Sequence, residues 1–373
     1  MQEDYPIYDK LIIYYFSGTG NAKNAAQWII SAAKKQGIDT QLVNIDRFES
    51  IEKPEILGKT LIGFCSPTHG FNLPPIMLKF ICQFPKIKNT DVFILNTRAG
   101  MKLHKLFVPG LSGLAQIFPA LTLRIKGFQI AGMQPLDLPS NWIFFHPGLK
   151  KKVVDSIYNR CYRITNNFAQ NLFQGEKRFK ALLSLPIDLL VIPIAIAYYL
   201  FGRFFLAKTL IASEACNNCK KCIRQCPVEA ISLLDDRPYW SYKCESCMRC
   251  VNICPERAIE TAHTFSLGLF FVSSFILSPF LIKLLKYFGV WSLFNQSYIT
   301  GILYDIIVSI IFIIIVIISY RGLHYLMKNR WVNRMITYTS LSKFKFWRRY
   351  KSPKTTIAND EKSNIKVKFG EGK

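Results

Sequence analysis

Eight of the eleven cysteines fall into two copies of one spacing. The first copy is Cys216, Cys219, Cys222 and Cys226, followed by Pro227; the second is Cys244, Cys247, Cys250 and Cys254, followed by Pro255. Both read C-x2-C-x2-C-x3-C-P, and the tails repeat as CPVEAI and CPERAI. A thiolate at every third residue lets one tight loop wrap three corners of a cubane. The chemistry open to these residues is therefore the binding of iron–sulfur clusters and the passage of single electrons. Zinc also takes four thiolates and is the competing reading of the cysteines alone. Two complete copies with matching prolines favour iron and sulfide.

A second group of residues has the makings of a phosphate site. Residues 11–16 (LIIYYF) form an apolar, β-rich run, Ser17-Gly18-Thr19-Gly20-Asn21 follows, and Ala22 to Gln36 reads as a helix ending at Gly37. Strand, Gly/Ser/Thr turn and helix together offer backbone N–H groups and a helix N-terminus to an anion. Two nucleotide motifs are excluded. The G-x-G-x-x-G fingerprint begins at Gly18 and Gly20 but meets Lys23 at its third position. A Walker A motif ending in Gly58-Lys59-Thr60 would need glycine where Lys53 stands.

The cysteine run is similar to that of bacterial two-cluster ferredoxins, and residues 17–22 resemble the flavodoxin phosphate loop, [ST]-x-T-G-x-[ST]. Together they resemble the bacterial flavodoxin–ferredoxin fusion family over about residues 8–262. The resemblance implies a doubly wound parallel α/β sheet that binds FMN, followed by a small α+β domain with two [4Fe–4S] clusters. It implies that the fourth cysteine of each run serves the other cluster. Cys216, Cys219, Cys222 and Cys254 would hold one, and Cys244, Cys247, Cys250 and Cys226 the other. The FMN phosphate would lie on Ser17, Gly18, Thr19, Gly20, Asn21 and Ala22. Two further strands, 59–65 and 91–96, end in turn-rich stretches whose flavodoxin counterparts hold the ring. Those stretches give Pro67, Thr68, His69, Gly70 and Phe71, and Thr97, Arg98, Ala99 and Gly100. They fall at the carboxyl ends of parallel strands, where open α/β sheets bind ligands. Residues 124–132 are expected to supply a fifth strand and 149–173 a closing helix. One departure stands out: Ala22 replaces the last hydroxyl of the phosphate loop. Loss of that hydrogen bond to a charged acceptor weakens FMN binding by about 1–3 kcal/mol unless Lys23 compensates.

The remaining reactive types carry less. Cys65 and Cys82 lie in apolar runs and read as core packing, and Cys161 lies on a polar helix without a partner motif. No Ser/His/Asp or zinc-protease arrangement occurs, so no catalytic residue is assigned.

Composition sets the surroundings. The 373 residues carry 48 Lys and Arg against 24 Asp and Glu, yet half are apolar. Cluster thiolates require a reducing compartment, and the polar start MQEDYPIYDK lacks the apolar core of a signal peptide. Three apolar stretches follow, at 185–207, 265–282 and 302–319. The last two suit bilayer spans. The loop 287–300 between them has no Lys or Arg, whereas residues 321–373 hold 14 against three acids. The positive-inside rule places that tail, and the cysteine domain before the hairpin, in the cytoplasm. The first stretch contains Pro186, Asp188, Pro193 and Arg203 and has basic residues at both ends. It reads as a re-entrant or interfacial segment. The mixed basic and aromatic run KFKFWRRYK (343–351) suits an anionic lipid surface rather than nucleic acid. The last twenty residues read as disordered.

The sequence thus divides into a flavodoxin-like FMN domain (1–175), an apolar re-entrant or interfacial segment (176–212), a 2[4Fe–4S] domain (213–262), a transmembrane hairpin (263–322) and a basic, partly disordered cytoplasmic tail (323–373). The expected function is electron transfer at the cell membrane, between FMN, two clusters and an unidentified redox partner protein or quinone. Reduction of a quinone or another lipid-soluble substrate, and non-enzymatic sensing of redox state or iron, are the alternatives.

Overall fold

A computed structural model of the chain describes residues 6–56, 58–294, 297–350, 352 and 367–369. Two compact units emerge. The first comprises Met1–Tyr199, Cys247–Arg249 and Arg349–Lys373; the second comprises Leu200–Ser246 and Cys250–Arg348.

The first unit is built on a parallel sheet. Its strands are β1 (Lys10–Tyr15), β2 (Asp39–Asn44), β4 (Thr60–Pro67), β5 (Asp91–Leu103), β7 (Gln129–Pro139) and β8 (Arg178–Phe179), after β3 (Phe48–Ile51), which lies outside it, and with β6 (Leu106–Val108) hairpinned on β5. The spatial order is β2-β1-β4-β5-β7-β8. Central β1 and β4 read as continuous apolar runs because both of their faces are covered. Helices α1 (Asn21–Lys35) and α4 (Lys151–Phe173) bury Trp28, Ile29, Ile157 and Phe168 against Leu11, Ile13 and Phe93. Tyr14 points to the other face and packs on Phe80 of α2 (Pro75–Gln83) and on Phe84, with ring centroids 5.1 and 5.2 Å away.

Most expected elements of this unit form within two residues of their predicted ends. Helix α1 stops at Lys35, and Gly37 follows with φ +76°. The fifth strand is displaced: residues 124–132 straddle the end of α3 (Leu114–Ile125) and the start of β7. Gly127, at φ +93°, makes the break that apolar content alone did not reveal. Nor is Thr97–Gly100 a loop. Strand β5 runs on through it, pairing Gly100 with Pro139. A Cβ at Gly100 would fall 2.3 Å from the Asp137 carbonyl oxygen, so glycine is what permits this pairing.

The stretch 185–207 is bent. Helices Lys180–Leu190 and Ile192–Ala207 meet at 77°. Pro186 and Pro193 stand at the first turns of α5 (Leu185–Leu190) and α6 (Ile192–Ala197), where a missing N–H does no harm.

The second unit carries both cysteine runs. Strand β9 (Leu210–Ala212) precedes the first run and pairs with β12 (Ile259–Thr261), which follows the second; β10 (Ile231–Leu234) and β11 (Arg237–Trp240) form the hairpin between the runs. Among the described residues, two helices, His263–Tyr287 and Tyr298–Leu326, are long and apolar enough to cross a membrane. The end of the second packs against the cysteine domain: Leu323 and Met327 join Ile211 and Ala262 in one apolar cluster, and the Tyr320 hydroxyl donates to the Leu210 carbonyl at 2.7 Å. Residues after the hairpin continue that packing. Asn333 donates to Ala212, Arg334 pairs with Glu214 at 2.9 Å, and the Ser342 hydroxyl donates to Glu260 at 2.6 Å. The part of the tail up to Arg348 is therefore folded. Of the last twenty residues, only Val367–Phe369 are described, as a strand on β3; the expectation of disorder otherwise lies outside the described residues.

Candidate functional site

The carboxyl ends of β1, β4, β5 and β7 surround a cavity of about 400 Å³. Asn21, Pro67, Thr68, His69, Gly70, Phe71, Thr97, Arg98 and Ala99 line it. Nine of the fifteen residues expected to hold FMN therefore meet at one cavity. Gly100 lies beyond it, Ser17, Gly18, Thr19 and Gly20 form the adjoining turn rather than the wall, and Ala22 lies in the first turn of α1. In that turn the Gly20 N–H donates to the Ser17 hydroxyl at 3.1 Å, and Asn141 donates to the Thr19 hydroxyl. Gly20 sits at φ +106°, and among the described residues no side chain caps the helix that follows. An uncapped helix start with no acid in its first turn, opening beside a ring-sized cavity, fits a flavin phosphate.

Polar contacts fix the cavity floor. Asn96 donates to the Thr68 hydroxyl at 2.6 Å, and Arg98 donates to Asp137 at 2.7 Å. Asp137 also accepts from the Gly110 N–H at 2.9 Å, so the guanidinium is held with one carboxylate close by.

The aromatic wall comes from residues the sequence did not single out. Trp142 lies 5.6 Å from His69 and 5.5 Å from Tyr198, ring centre to ring centre, the latter pair at 34°. The Tyr198 ring rests against Gly70, where any Cβ would fall 2.1 Å from it. His146, beside Trp142 on the wall, meets the Ser140 hydroxyl at 3.1 Å, and burial lowers its pKa below the ordinary histidine value. Residues 140–146 follow β7 and have no glycine-rich signature. Only the rule that ligands bind beyond parallel strand ends would have found them, and that needed the correct end of β7.

Tyr198 and Ile194 of the wall belong to the bent apolar stretch. Asp188, on the same stretch, is an anchor. Its carboxylate is buried and accepts from the backbone N–H of Ser112 and Gly113 and from the Ser184 hydroxyl, at 2.9, 2.8 and 2.7 Å.

The lone cysteines divide. Cys65 is core, as expected, and burial pushes its thiol up. Cys161 is also buried, donates to the Asp137 carbonyl, and burial pushes it up to about 12. Cys82 is exposed, contrary to expectation, because α2 turns Ile76, Met77, Phe80 and Ile81 to the core and leaves its last turn outside.

The cluster cysteines obey an internal symmetry of 28 residues. Positive φ recurs at Asn218 and Ser246, at Lys220 and Met248, and at Glu229 and Arg257. The Ala230 N–H donates to the Cys226 sulfur and the Ala258 N–H to the Cys254 sulfur, both at 3.3 Å. The halves exchange ends. Ser213, before the first run, donates to Ala258, after the second; Ser241, before the second, donates to Ala230, after the first, each at 2.8 Å. This exchange brings Cys254 to Cys216, Cys219 and Cys222, and all four line one cavity. Burial pushes the Cys222 thiol up to about 11, and Cys216 and Cys254 push in the same direction. Thiolates gathered this way need the positive charge of iron to be stable, and N–H donors to sulfur are typical cluster partners. Near Cys244, Lys208 is buried; its ammonium donates to the Trp240 carbonyl and lies 4.8 Å from the ring centres of Tyr239 and Tyr320.

Residues 13–106 match the flavodoxin family, and residues 215–259 match the 4Fe-4S dicluster domain. The chain therefore contains a flavodoxin domain, whose cofactor is FMN, and a ferredoxin-type domain for two [4Fe–4S] clusters. A search of curated proteins returned no significant match. Among similar solved structures are a flavodoxin from Archaea (16% identity, 43% of this chain and 97% of that one, TM-score 0.28). Flavodoxin 1 from Bacillus cereus (14%, 43% and 97%, 0.30) and the two-electron reduced flavodoxin of Megasphaera elsdenii (17%, 43% and 98%, 0.28) are others.

Proposed function

We propose that this chain is a membrane-anchored electron-transfer protein whose flavin and cluster sites both lie on the cytoplasmic side and serve a redox partner at the membrane. The observation that carries the reading is the gathering of Cys216, Cys219, Cys222 and Cys254 at one cavity, in the same chain as a flavodoxin domain. Bound FMN takes up one or two electrons and each cluster one, so the pairing converts between hydride-type and single-electron chemistry. The protein's part is positioning and exclusion. Arg98 sets a cation at the cavity, and Trp142, His69 and Tyr198 keep water from its wall. The Ala230 and Ala258 N–H groups stabilise extra negative charge on sulfur.

Anchoring rests on the two long apolar helices and on the charge asymmetry of their flanks. The bent stretch reads as interfacial: Leu183, Ile187 and Leu190 are exposed, whereas Asp188 and Tyr198 turn toward the flavodoxin domain. The test is purification without oxygen, followed by metal, sulfide and flavin analysis and EPR of the reduced protein. The reading expects close to eight irons, eight labile sulfides and one FMN per chain; stoichiometric zinc without sulfide would overturn it.

A second reading, reduction of a quinone at the flavin, is supported by Ile194 and Tyr198, which give the cavity a wall made by an apolar segment. It expects a water-soluble quinone to reoxidise the reduced protein, and Tyr198→Ala to change the KM for that quinone.

A further inference from the structure

The phosphate loop lacks its last hydroxyl, since Ala22 is wholly buried and apolar. At the same helix start lie two residues from the far end of the chain, Tyr350 and Ser352, which belong to the first unit. The Tyr350 hydroxyl is buried and donates to the Asn21 carboxamide oxygen, which also accepts from Tyr158 at 2.5 Å. The Ser352 hydroxyl accepts from the Asn24 amide at 2.9 Å and lies 2.9 Å from the Tyr158 hydroxyl. It also lies close over Gly20: a Cβ there would come within 2.9 Å of the Ser352 oxygen.

A carboxamide oxygen has two lone pairs, and both tyrosine hydroxyls face them on Asn21 while lying 2.6 Å from each other, so their two protons are shared among three contacts. The Asn24 amide occupies one lone pair of Ser352, whose own proton can go to Tyr158 or turn to an anion at the helix end. Asn21 lines the flavin cavity, so the network reaches from the tail to the wall of the site.

We propose that Tyr350 and Ser352 complete the phosphate end of the FMN site. Ser352 supplies the hydroxyl that Ala22 does not, and Tyr350 fixes the orientation of Asn21. The inference rests on the phosphate lying at Ser17–Asn21. It assigns a binding role to a segment that follows both apolar helices.

The test is titration of the deflavinated full-length protein in detergent with FMN and, separately, with riboflavin, which has the ring but no phosphate. Ser352→Ala weakens FMN five- to tenfold and leaves riboflavin unchanged. Ala22→Ser in the Ser352→Ala background recovers FMN affinity. Tyr350→Phe weakens FMN about threefold. Equal losses for FMN and riboflavin, or no loss in either variant, would overturn the proposal while leaving the flavin site standing. A wild-type protein that binds riboflavin but gains nothing from the phosphate would overturn the phosphate placement, and the role of the tail with it.

Discussion

The carboxylate of Asp188 accepts hydrogen bonds from the backbone N–H groups of Ser112 and Gly113, just before the first turn of α3. An apolar segment is thereby tied to a helix start of the flavodoxin domain. Truncation to alanine leaves two buried N–H donors without their acceptor, at a cost of about 1–3 kcal/mol each. Asp188→Ala is expected to lower the thermal midpoint of the flavin domain and open residues 180–200 to limited proteolysis, with iron content unchanged. The same tie favours a segment that does not cross the bilayer. A reporter fused after Ala212 should behave as cytoplasmic, and an external signal there would show a span.

His146 gives the flavin domain a pH dependence. Burial lowers its pKa below the usual 6.5, so in the window below about 6.5 the unfolded chain binds a proton that the folded chain resists. Stability is complete above that window and declines as pH falls through it. Thermal midpoints of the wild type should drop between about pH 7 and pH 5, and His146→Asn should flatten that slope.

Exchange of ends between the cysteine halves seats Cys254 with Cys216, Cys219 and Cys222, and we propose that Cys226 serves the second run in the same way. Cys226→Ala should damage the cluster on Cys244, Cys247 and Cys250 and spare the other; Cys254→Ala should do the reverse. Each variant should lose up to four irons and the magnetic coupling between reduced clusters in EPR. Damage to the cluster of the mutated residue's own run would contradict the exchange.

Lys208 is a buried cation near Cys244; burial pulls its pKa down to about 8, and Cys244 opposes that shift. A positive charge favours the more negative, reduced state of a neighbouring cluster. Lys208→Met should lower the potential of the cluster on the second run by roughly 60 mV, a tenfold change for a one-electron couple. EPR-monitored redox titration reads this directly, and Lys208→Arg should restore most of the shift.

Motifs with fixed spacing were the legible part of this chain. The cysteine runs show in sequence because three ligands must come from one turn, and the phosphate loop shows because glycine and hydroxyl residues must follow a strand. The ring-side wall did not show. Trp142 and His146 sit on a loop whose position depends on where β7 ends, and that strand was misplaced because α3 is equally apolar. Tyr198 was hidden for a different reason. Its segment reads as membrane by composition, and only the close approach to Gly70 reveals a second role. The break at Thr97–Gly100 failed because turn-type residues there serve a long strand pair instead.

Tyr350 meets Asn21 across 329 residues of chain. During synthesis the helix start that holds Asn21 is finished early, whereas Tyr350 emerges only after both apolar helices. At about 5–20 residues per second the interval is on the order of tens of seconds. On the membrane-anchored reading, the hairpin must enter the bilayer before the two ends of the protein can touch. Flavin loading then becomes a late step in biogenesis, and a chain stalled before its tail is made would carry an immature flavin site.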